Sequence, residues 1–449
     1  MTDLLDIARS VVARATRDEH VEAFLTHEKT FEARAFGGAV ESVSSAEPRG
    51  AGIRVVDHER VGFSYTTDLT EHGLQVAIDR ARDNSRYATA DASVGLASPW
   101  DAPPAEVHGL TDSSLSCATA EAKVEFVVAL ERATHAIDPR IRTVEDAVYS
   151  DSESVVAIAT STGIEGTYAR TDAWAYAVAI AEDAGDTQVG FDFGLARGVA
   201  TLDADEIARR AAQRALSVLG ASKIPSGRLP VIFDPYTAGQ FLGVIAGALT
   251  GEAVQKGRSL FAGKLGEQVA GSVTLIDDGR IDGAPGSSPW DDEGTPTRRT
   301  AVIEDGVLTS LLYDLVSGAR DGTSSTGNAS RAGFKSPPGP RASNMALDAT
   351  GQTRAQLLES VDRGLLVQDF HGVHSGANAV TGDFSVGATG RLVEKGALAQ
   401  PVKEVTIALP MLDILSGIEA VADDRRWLPF GGSFGGATTV IAEMTVAGT

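Results

Sequence analysis

Metal chemistry needs donors that converge, and the histidines of this chain are spaced so that few can. The eight are His20, His27, His58, His72, His108, His135, His371 and His374. Only His371 and His374 are close in sequence, and two residues three apart on a strand or loop point to different faces. A catalytic zinc asks for three protein ligands and a base. The single Cys117 excludes an internal disulfide and a cluster of thiolate ligands, and reads as a structural residue. Serine chemistry has one match in letters, Gly431-Gly432-Ser433-Phe434-Gly435. A nucleophile elbow has a strand before it, a helix after it and a His further along. The residues that follow here read as a strand without His, so a Gly-rich β-turn is expected. Asp291, Asp292 and Glu293 could act as paired acid and base. With Gly294 and Pro296 flanking them and Arg298 and Arg299 beside them, they read as a solvated, charge-compensated hairpin loop. Ser324 to Arg331 has small side chains and freely turning glycines, which would leave backbone N–H and C=O groups accessible to an extended peptide adding as a strand; it reads equally as a structural turn. Thr326, Asn328 and Arg331 in this stretch, with Asn378 and Asp383 further on, are the candidate peptide-binding or interface residues.

These groups must be held by a chain that divides in two. A strand, Leu229 to Phe233, turns at Asp234-Pro235 into a helix with apolar residues at Phe241, Val244, Ile245, Ala248 and Leu249. Upstream, Thr2 can cap a first helix with Leu4, Leu5, Ala8, Val11, Val12 and Ala15 on one face. Short alternating strands are expected over 20–26, 30–36, 40–46, 52–57 and 60–66, followed by a helix over 71–87. Residues 88–113, rich in Ala, Pro, Ser and Asp, read as a surface linker. The plan then repeats in architecture: a helix over 119–137, strands over 142–150, 154–160, 163–169, 173–182 and 187–193, and a helix over 203–219. Pro225, Ser226 and Gly227 mark a boundary. The expectation is an α+β fold. Its N-terminal domain, 1–220, consists of two helix-flanked antiparallel meanders, the first over 1–87 and the middle one over 113–220. Its C-terminal domain, 229–449, is β-rich, with sheets curled around the helix near Ala238 to Val254.

Composition narrows the partners. The 39 basic and 61 acidic residues give a formal charge of −22, which repels phosphate backbones and argues against direct nucleic-acid binding. No apolar run approaches the roughly 20 residues of a membrane span. Asp3 and Asp6 stand where a signal peptide would be basic, so a cytoplasmic location is expected.

Six stretches occur in one order in the C-terminal half: KLGEQV (264–269), DDEGTPTRRT (291–300), STGNASR (325–331), TGDFSVGATG (381–390), PVKEVTIA (401–408) and EMTVAGT (443–449). With them, the segment 229–259 resembles the metal-binding segment of the TldD/PmbA family, the "modulator of DNA gyrase" metallopeptidases. The resemblance implies a helix reading H-E-x-x-x-H in the metal-bearing branch. Registering Leu249-Thr250-Gly251-Glu252 and Gly257-Arg258-Ser259 on the family's landmarks puts Leu242, Gly243 and Gly247 at the first His, the Glu and the second His. None can coordinate. That motif also implies a bent or π-like turn near Ala246-Gly247-Ala248, because ligands five apart diverge on an ideal helix. A family Cys ligand is absent from Ala422 to Trp427 as well. The chain thus looks like the metal-free TldE (PmbA) branch. That branch implies a subunit without its own cofactor or catalytic residues, paired with a TldD-like chain that carries zinc and cleaves unfolded or flexible peptides. A stand-alone peptide-binding homodimer without catalysis is the alternative.

Overall fold

The computed structural model describes residues 3–16, 18–101, 103–428 and 432–449. Thr2 and Gly431, both singled out above, lie outside the described residues, and the cap of the first helix is the Asp3 side chain, which accepts from the Leu5 N–H.

The N-terminal domain is one seven-stranded antiparallel sheet with helices on one face. Helix α1 (Leu4–Val12) precedes strands β1 (Glu19–Phe36), β2 (Ala39–Ala46), β3 (Arg49–Asp57) and β4 (Arg60–Thr66), then helix α2 (Glu71–Tyr87). After the short α3 (Ser113–Cys117) come α4 (Ala120–Ala136), β5 (Ile141–Thr160), β6 (Glu165–Asp183), β7 (Asp186–Ala196) and α5 (Ala204–Leu216). The sheet runs β4-β3-β1-β5-β6-β7, with β2 added beside β1. The two meanders are therefore fused through β1 and β5, which pair from Glu22↔Thr160 to Ala35↔Ala147.

Three expected breaks are absent. His27-Glu28-Lys29, Asp151-Ser152-Glu153 and Arg170-Thr171-Asp172 run straight through β1, β5 and β6. Their polar side chains resemble turn signals, but they occupy the middle of strands long enough to serve two cores in succession. Under one end, α1 and α2 pack Ala8, Val11, Leu74 and Ile78 against Val21, Leu25 and Ile53. Under the other, α4 and α5 pack Leu130, Ile207 and Ala211 against Tyr149 and the alanines 173, 175, 177, 179 and 181 of β6. A row of methyl groups on one strand face lets a helix approach closely. The linker 88–113 is not loose either: the Trp100 indole N–H donates to Gly294 O at 2.7 Å, and Ala97 and Val107 are buried. Cys117 is exposed rather than buried in the core.

In the C-terminal domain, β8 (Gly227–Phe233) enters helix α6 (Pro235–Ala246), capped by Asp234 onto the Thr237 N–H with Pro235 in the first turn. A 3-10 turn over Gly247–Leu249 and the short α7 (Gly251–Gln255) follow, so the helix tightens where a bent or π-like turn was expected. Strands β9 (Leu275–Asp278), β10 (Arg299–Glu304), β11 (Val307–Leu308), β14 (Asn344–Leu347), β20 (Arg426–Leu428) and β21 (Ser433–Gly436) form a six-stranded sheet. A separate ribbon pairs β12 (Ala329–Ser330) with β13 (Gly339–Pro340). The remaining strands, β15 (Arg363–His371), β16 (Ala377–Asn378), β17 (Asp383–Glu394), β18 (Ala397–Ala408), β19 (Ile418–Val421) and β22 (Thr439–Ala447), join β8 in a sheet that closes on itself where β15 pairs β17. Helix α6 lies between the two sheets, with Phe241, Leu242 and Ile245 in the main core.

Candidate functional site

Two places can be tested for chemistry. The first is the middle of α6. Leu242 is 2% exposed and surrounded by hydrocarbon. A Cβ added at Gly243 would sit 3.3 Å from the Phe434 ring, and one at Gly239 would sit 2.5 Å from a Leu428 methyl. Gly247 would meet nothing within 4 Å. Three positions that offer hydrocarbon, hydrogen and open space supply no nitrogen, sulfur or carboxylate, so the residues do not fit a zinc ion. No group of three His, Cys, Asp or Glu suited to a metal occurs among the described residues. His371 ends β15 with its Nε2 2.8 Å from Thr389 Oγ1, and His374 lies in the following short helix. The Ser433 hydroxyl is on β21, not on an elbow, and donates to Asn344 Oδ1 at 2.7 Å.

The second place is a cleft of about 530 Å³ between the middle of β6 and the C-terminal domain. Tyr168, Arg170, Asp172 and Trp174 form one wall; Asp291, Asp292, Asn328 to Ser330, Arg341 and Ser433 are on the others. Alternate residues of a strand share a face, which brings the four β6 side chains together. Across from them the chain turns tightly at 290–296, where Asp291 N–H donates to Thr295 O at 2.8 Å. Gly294 adopts φ +83°, and a Cβ there would meet Ile164 Cγ2 at 2.8 Å, so the turn requires glycine.

This turn is buried, and here the sequence expectation is corrected. Asp291 accepts the N–H groups of Glu293, Thr295 and Ala329 at 2.9–3.0 Å. Glu293, 1% exposed, accepts from Arg54 Nη1 at 2.7 Å. Arg54 also donates to Glu22 at 2.5 and 2.9 Å. Arg331 donates to Glu22 as well, takes Asp292 Oδ2 on its backbone N–H at 2.7 Å, and stacks 4.8 Å over the Phe24 ring. Arg298 and Arg299, the expected partners, are exposed, and Arg299 faces Asp348. The true partners come from β1 and β3, where Glu22 and Arg54 are directly opposed. Burial of a carboxylate this deep is tolerated because two guanidinium groups satisfy it. Burial pushes the Glu22 carboxyl up, but Arg54 and Arg331 outweigh it and hold it below the ordinary value. Asp292 and Asp277 have weaker support, and burial pushes each up to about 6. Asp291 is raised too, by burial and then by Glu293.

The remaining candidates separate. Asn328 lines the cleft and donates from Nδ2 to Asp277 at 2.7 Å. Thr326 is buried against the Tyr313 backbone, and Arg331 lies within the ion network. The backbone expected to be accessible is already engaged: the N–H groups of Thr326, Gly327, Ala329 and Arg331 all donate within the chain, and 329–330 already pair with 339–340. Asn378 and Asp383 sit on the exposed β16–β17 turn, away from the cleft lining, where Asn378 accepts from the Val380 N–H and Asp383 from the Thr381 hydroxyl. Sequence reasoning misses Glu22 and Arg54. Their only signal is a lone charge in each of two apolar runs, Val21-Glu22-Ala23-Phe24 and Ile53-Arg54-Val55-Val56.

Comparison with known proteins matches three family models in succession: PmbA/TldA metallopeptidase domain 1 over 21–85, the central domain over 114–219 and the C-terminal domain over 226–448. The chain is 29% identical to Metalloprotease PmbA of Escherichia coli O157:H7 over 393 residues, 86% of this chain and 84% of that protein. It is equally 29% identical to a Metalloprotease TldD homolog of Haemophilus influenzae over 398 residues, covering 86% and 82%. A crystal structure described as a modulator of a DNA gyrase, from Thermotoga maritima, superposes with a TM-score of 0.91 at 26% identity, covering 99% of this chain and 100% of that one. TldE from Thermococcus kodakarensis shares the fold, with a TM-score of 0.87 at 22% identity and 99% coverage of both. Overall likeness is the same toward the PmbA and TldD names, so the site residues must distinguish the branches.

Proposed function

For a chain that belongs to the PmbA/TldD metallopeptidase family, we propose the role of the metal-free, TldE-like subunit: it holds no zinc of its own, pairs with a TldD-like chain that does, and helps to form the chamber in which unfolded or flexible peptides are cleaved. The observation that carries this reading is helix α6 with the 3-10 turn after it, where Leu242, Gly243 and Gly247 stand in the ligand register and the Phe434 ring packs against Gly243. The cleft beside Asp292, Asn328 and Ser330 is the surface on which this subunit would hold substrate, with Arg331 fixing the wall from behind. Carboxylate, guanidinium and flat aromatic groups together suit the mixed chemistry of a peptide. The acidic surface fits a cytoplasmic protein that does not bind nucleic acid directly. No helix among the described residues is long and apolar enough to cross a membrane.

The test is reconstitution. Casein should survive incubation with this chain alone and be digested when a TldD-like partner is added, and elemental analysis should place the zinc with the partner. Digestion by the isolated chain, or about one tightly bound zinc in it, would overturn the assignment. Because the cleft is built from this chain alone, peptide binding without the partner and without cleavage would favour the stand-alone reading.

A further inference from the structure

The cleft wall formed by β6 continues onto open sheet. Directly opposed residues share a face, so Glu28 of β1, Ser154 of β5 and Arg170 of β6 stand side by side. Four residues further along β1, Glu32, Ser150 and Trp174 form a second row, and Asp172 lies on the row between. The helices pack on the other face, against Ala33, Ala35 and the alanines of β6. Glu32 is exposed, and Glu28, Ser150 and Ser154 are half-buried. The charges here are unevenly committed. Asp172 accepts from Arg170 and Arg197 at 2.8 and 2.5 Å. Arg170 also donates to the Pro285 carbonyl, and Arg341 is the other guanidinium among the described residues that line the cleft. Glu28 and Glu32 take part in no ion pair among the described residues. On the opposite wall, Asp292 uses Oδ2 for the Arg331 N–H at 2.7 Å, while its Oδ1 has no hydrogen bond among the described residues.

We propose that the cleft and the sheet face beside it select flexible peptides that carry lysine or arginine, received by Glu28, Glu32 and Asp292. The inference rests on the reading of the cleft as the substrate surface and adds the class of peptide it takes. Carboxylates of one sign along a cleft concentrate cations there, because the low-dielectric walls focus their field. Four residues of strand separate Glu28 from Glu32 by roughly 13 Å, which is also the separation of two basic residues four apart in an extended peptide laid along β1. Ser150 and Ser154 beside them are neutral donors and acceptors that suit a peptide backbone of any sequence. Charge is therefore read by the carboxylates and the backbone by the hydroxyl groups.

The test uses the purified full chain alone and three fluorescein-labelled flexible peptides that carry lysine, glutamine or glutamate at the same positions. Fluorescence anisotropy should show the lysine peptide bound about tenfold more tightly than the glutamine peptide, and the glutamate peptide bound most weakly. That advantage should shrink as salt rises. Glu28→Gln with Glu32→Gln should remove most of the lysine preference and leave the affinity for the glutamine peptide unchanged; Asp292→Asn should remove a further part. Glu125→Gln with Glu419→Gln takes the same charge from exposed positions elsewhere and should leave the preference intact. A lysine preference that survives Glu28→Gln with Glu32→Gln would assign it to the net charge of the chain and overturn the proposal. Equal binding of all three peptides would overturn it too, while leaving the cleft as a peptide surface; no binding of any peptide would remove both readings together.

Discussion

Helix α6 and the turn at Asp291–Glu293 both stand where a peptidase could keep its chemistry, and they are built in opposite ways. In α6 and the turn that follows it the ligand positions are hydrocarbon and hydrogen, with the Phe434 ring packed beside Gly243 and open space at Gly247. In the turn, ionisable groups are retained, but they are spent on joining the C-terminal domain to β1 and β3. A helix whose core packing does not involve a metal can lose its donors without losing its place. A buried ion network cannot lose one member so cheaply, because the remaining charges are left without water or partner.

The largest expected effect follows from that asymmetry. Glu22→Ala leaves Arg54 and Arg331 facing each other in the interior and should lower unfolding free energy by about 3 to 5 kcal/mol, read by urea denaturation. A loss under about 1 kcal/mol would mean that the network behaves like surface ion pairs.

Rebuilding the motif probes the other side. Leu242→His, Gly243→Glu and Gly247→His together should cost about 2 kcal/mol, since Leu242 gives up core hydrocarbon for a polar ring. Zinc binding should stay weaker than about micromolar, with casein intact, because the family's Cys position near 422–427 supplies no third ligand. Micromolar zinc with proteolysis would show that the ring over Gly243 is no obstacle.

A smaller effect lies in pH. Asp277 and Asp292 take up protons on folding, since their folded values near 6 exceed the ordinary value of about 3.9. Their contribution therefore worsens as pH rises from about 4 to 6 and is level above. Glu22 has a lowered value, so its contribution is present above the ordinary value and lost as acid protonates it. Asp292→Asn should remove some of the fall in stability between pH 4 and 6, measured by denaturation across that range; an unaltered slope would assign it to other groups.

Smallest of all, Asp383→Ala removes only the exposed Thr381 contact and should change stability by less than about 0.5 kcal/mol, leaving casein digestion by the reconstituted complex intact. A loss of digestion would move the substrate surface to the β16–β17 turn.

The strand and capped helix at 229–246 are legible in the sequence because an apolar run, an Asp cap and Pro235 are local signals. The absence of donors in α6 is legible too, since it depends only on residue type. The burial of Asp291–Glu293 is not: the deciding partner, Arg54, lies 239 residues away, and Gly294 and Pro296 look alike in a solvated loop and a buried one. The unbroken strands escape for a related reason. His27 to Lys29 look like a turn until β5 arrives beside them.

That distance along the chain has a consequence for synthesis. Glu22 leaves the ribosome 309 residues before Arg331, which at 5–20 residues per second is roughly 15 to 60 s. Through that interval the first meander carries Glu22 with Arg54 as its neighbour on β3, while β5, needed to complete β1, also emerges late. The newborn N-terminal segment is therefore an open half-sheet until β5 (Ile141–Thr160) has emerged, and holding factors that shield strand edges should raise its yield more than they raise that of a protein whose strands pair with near neighbours.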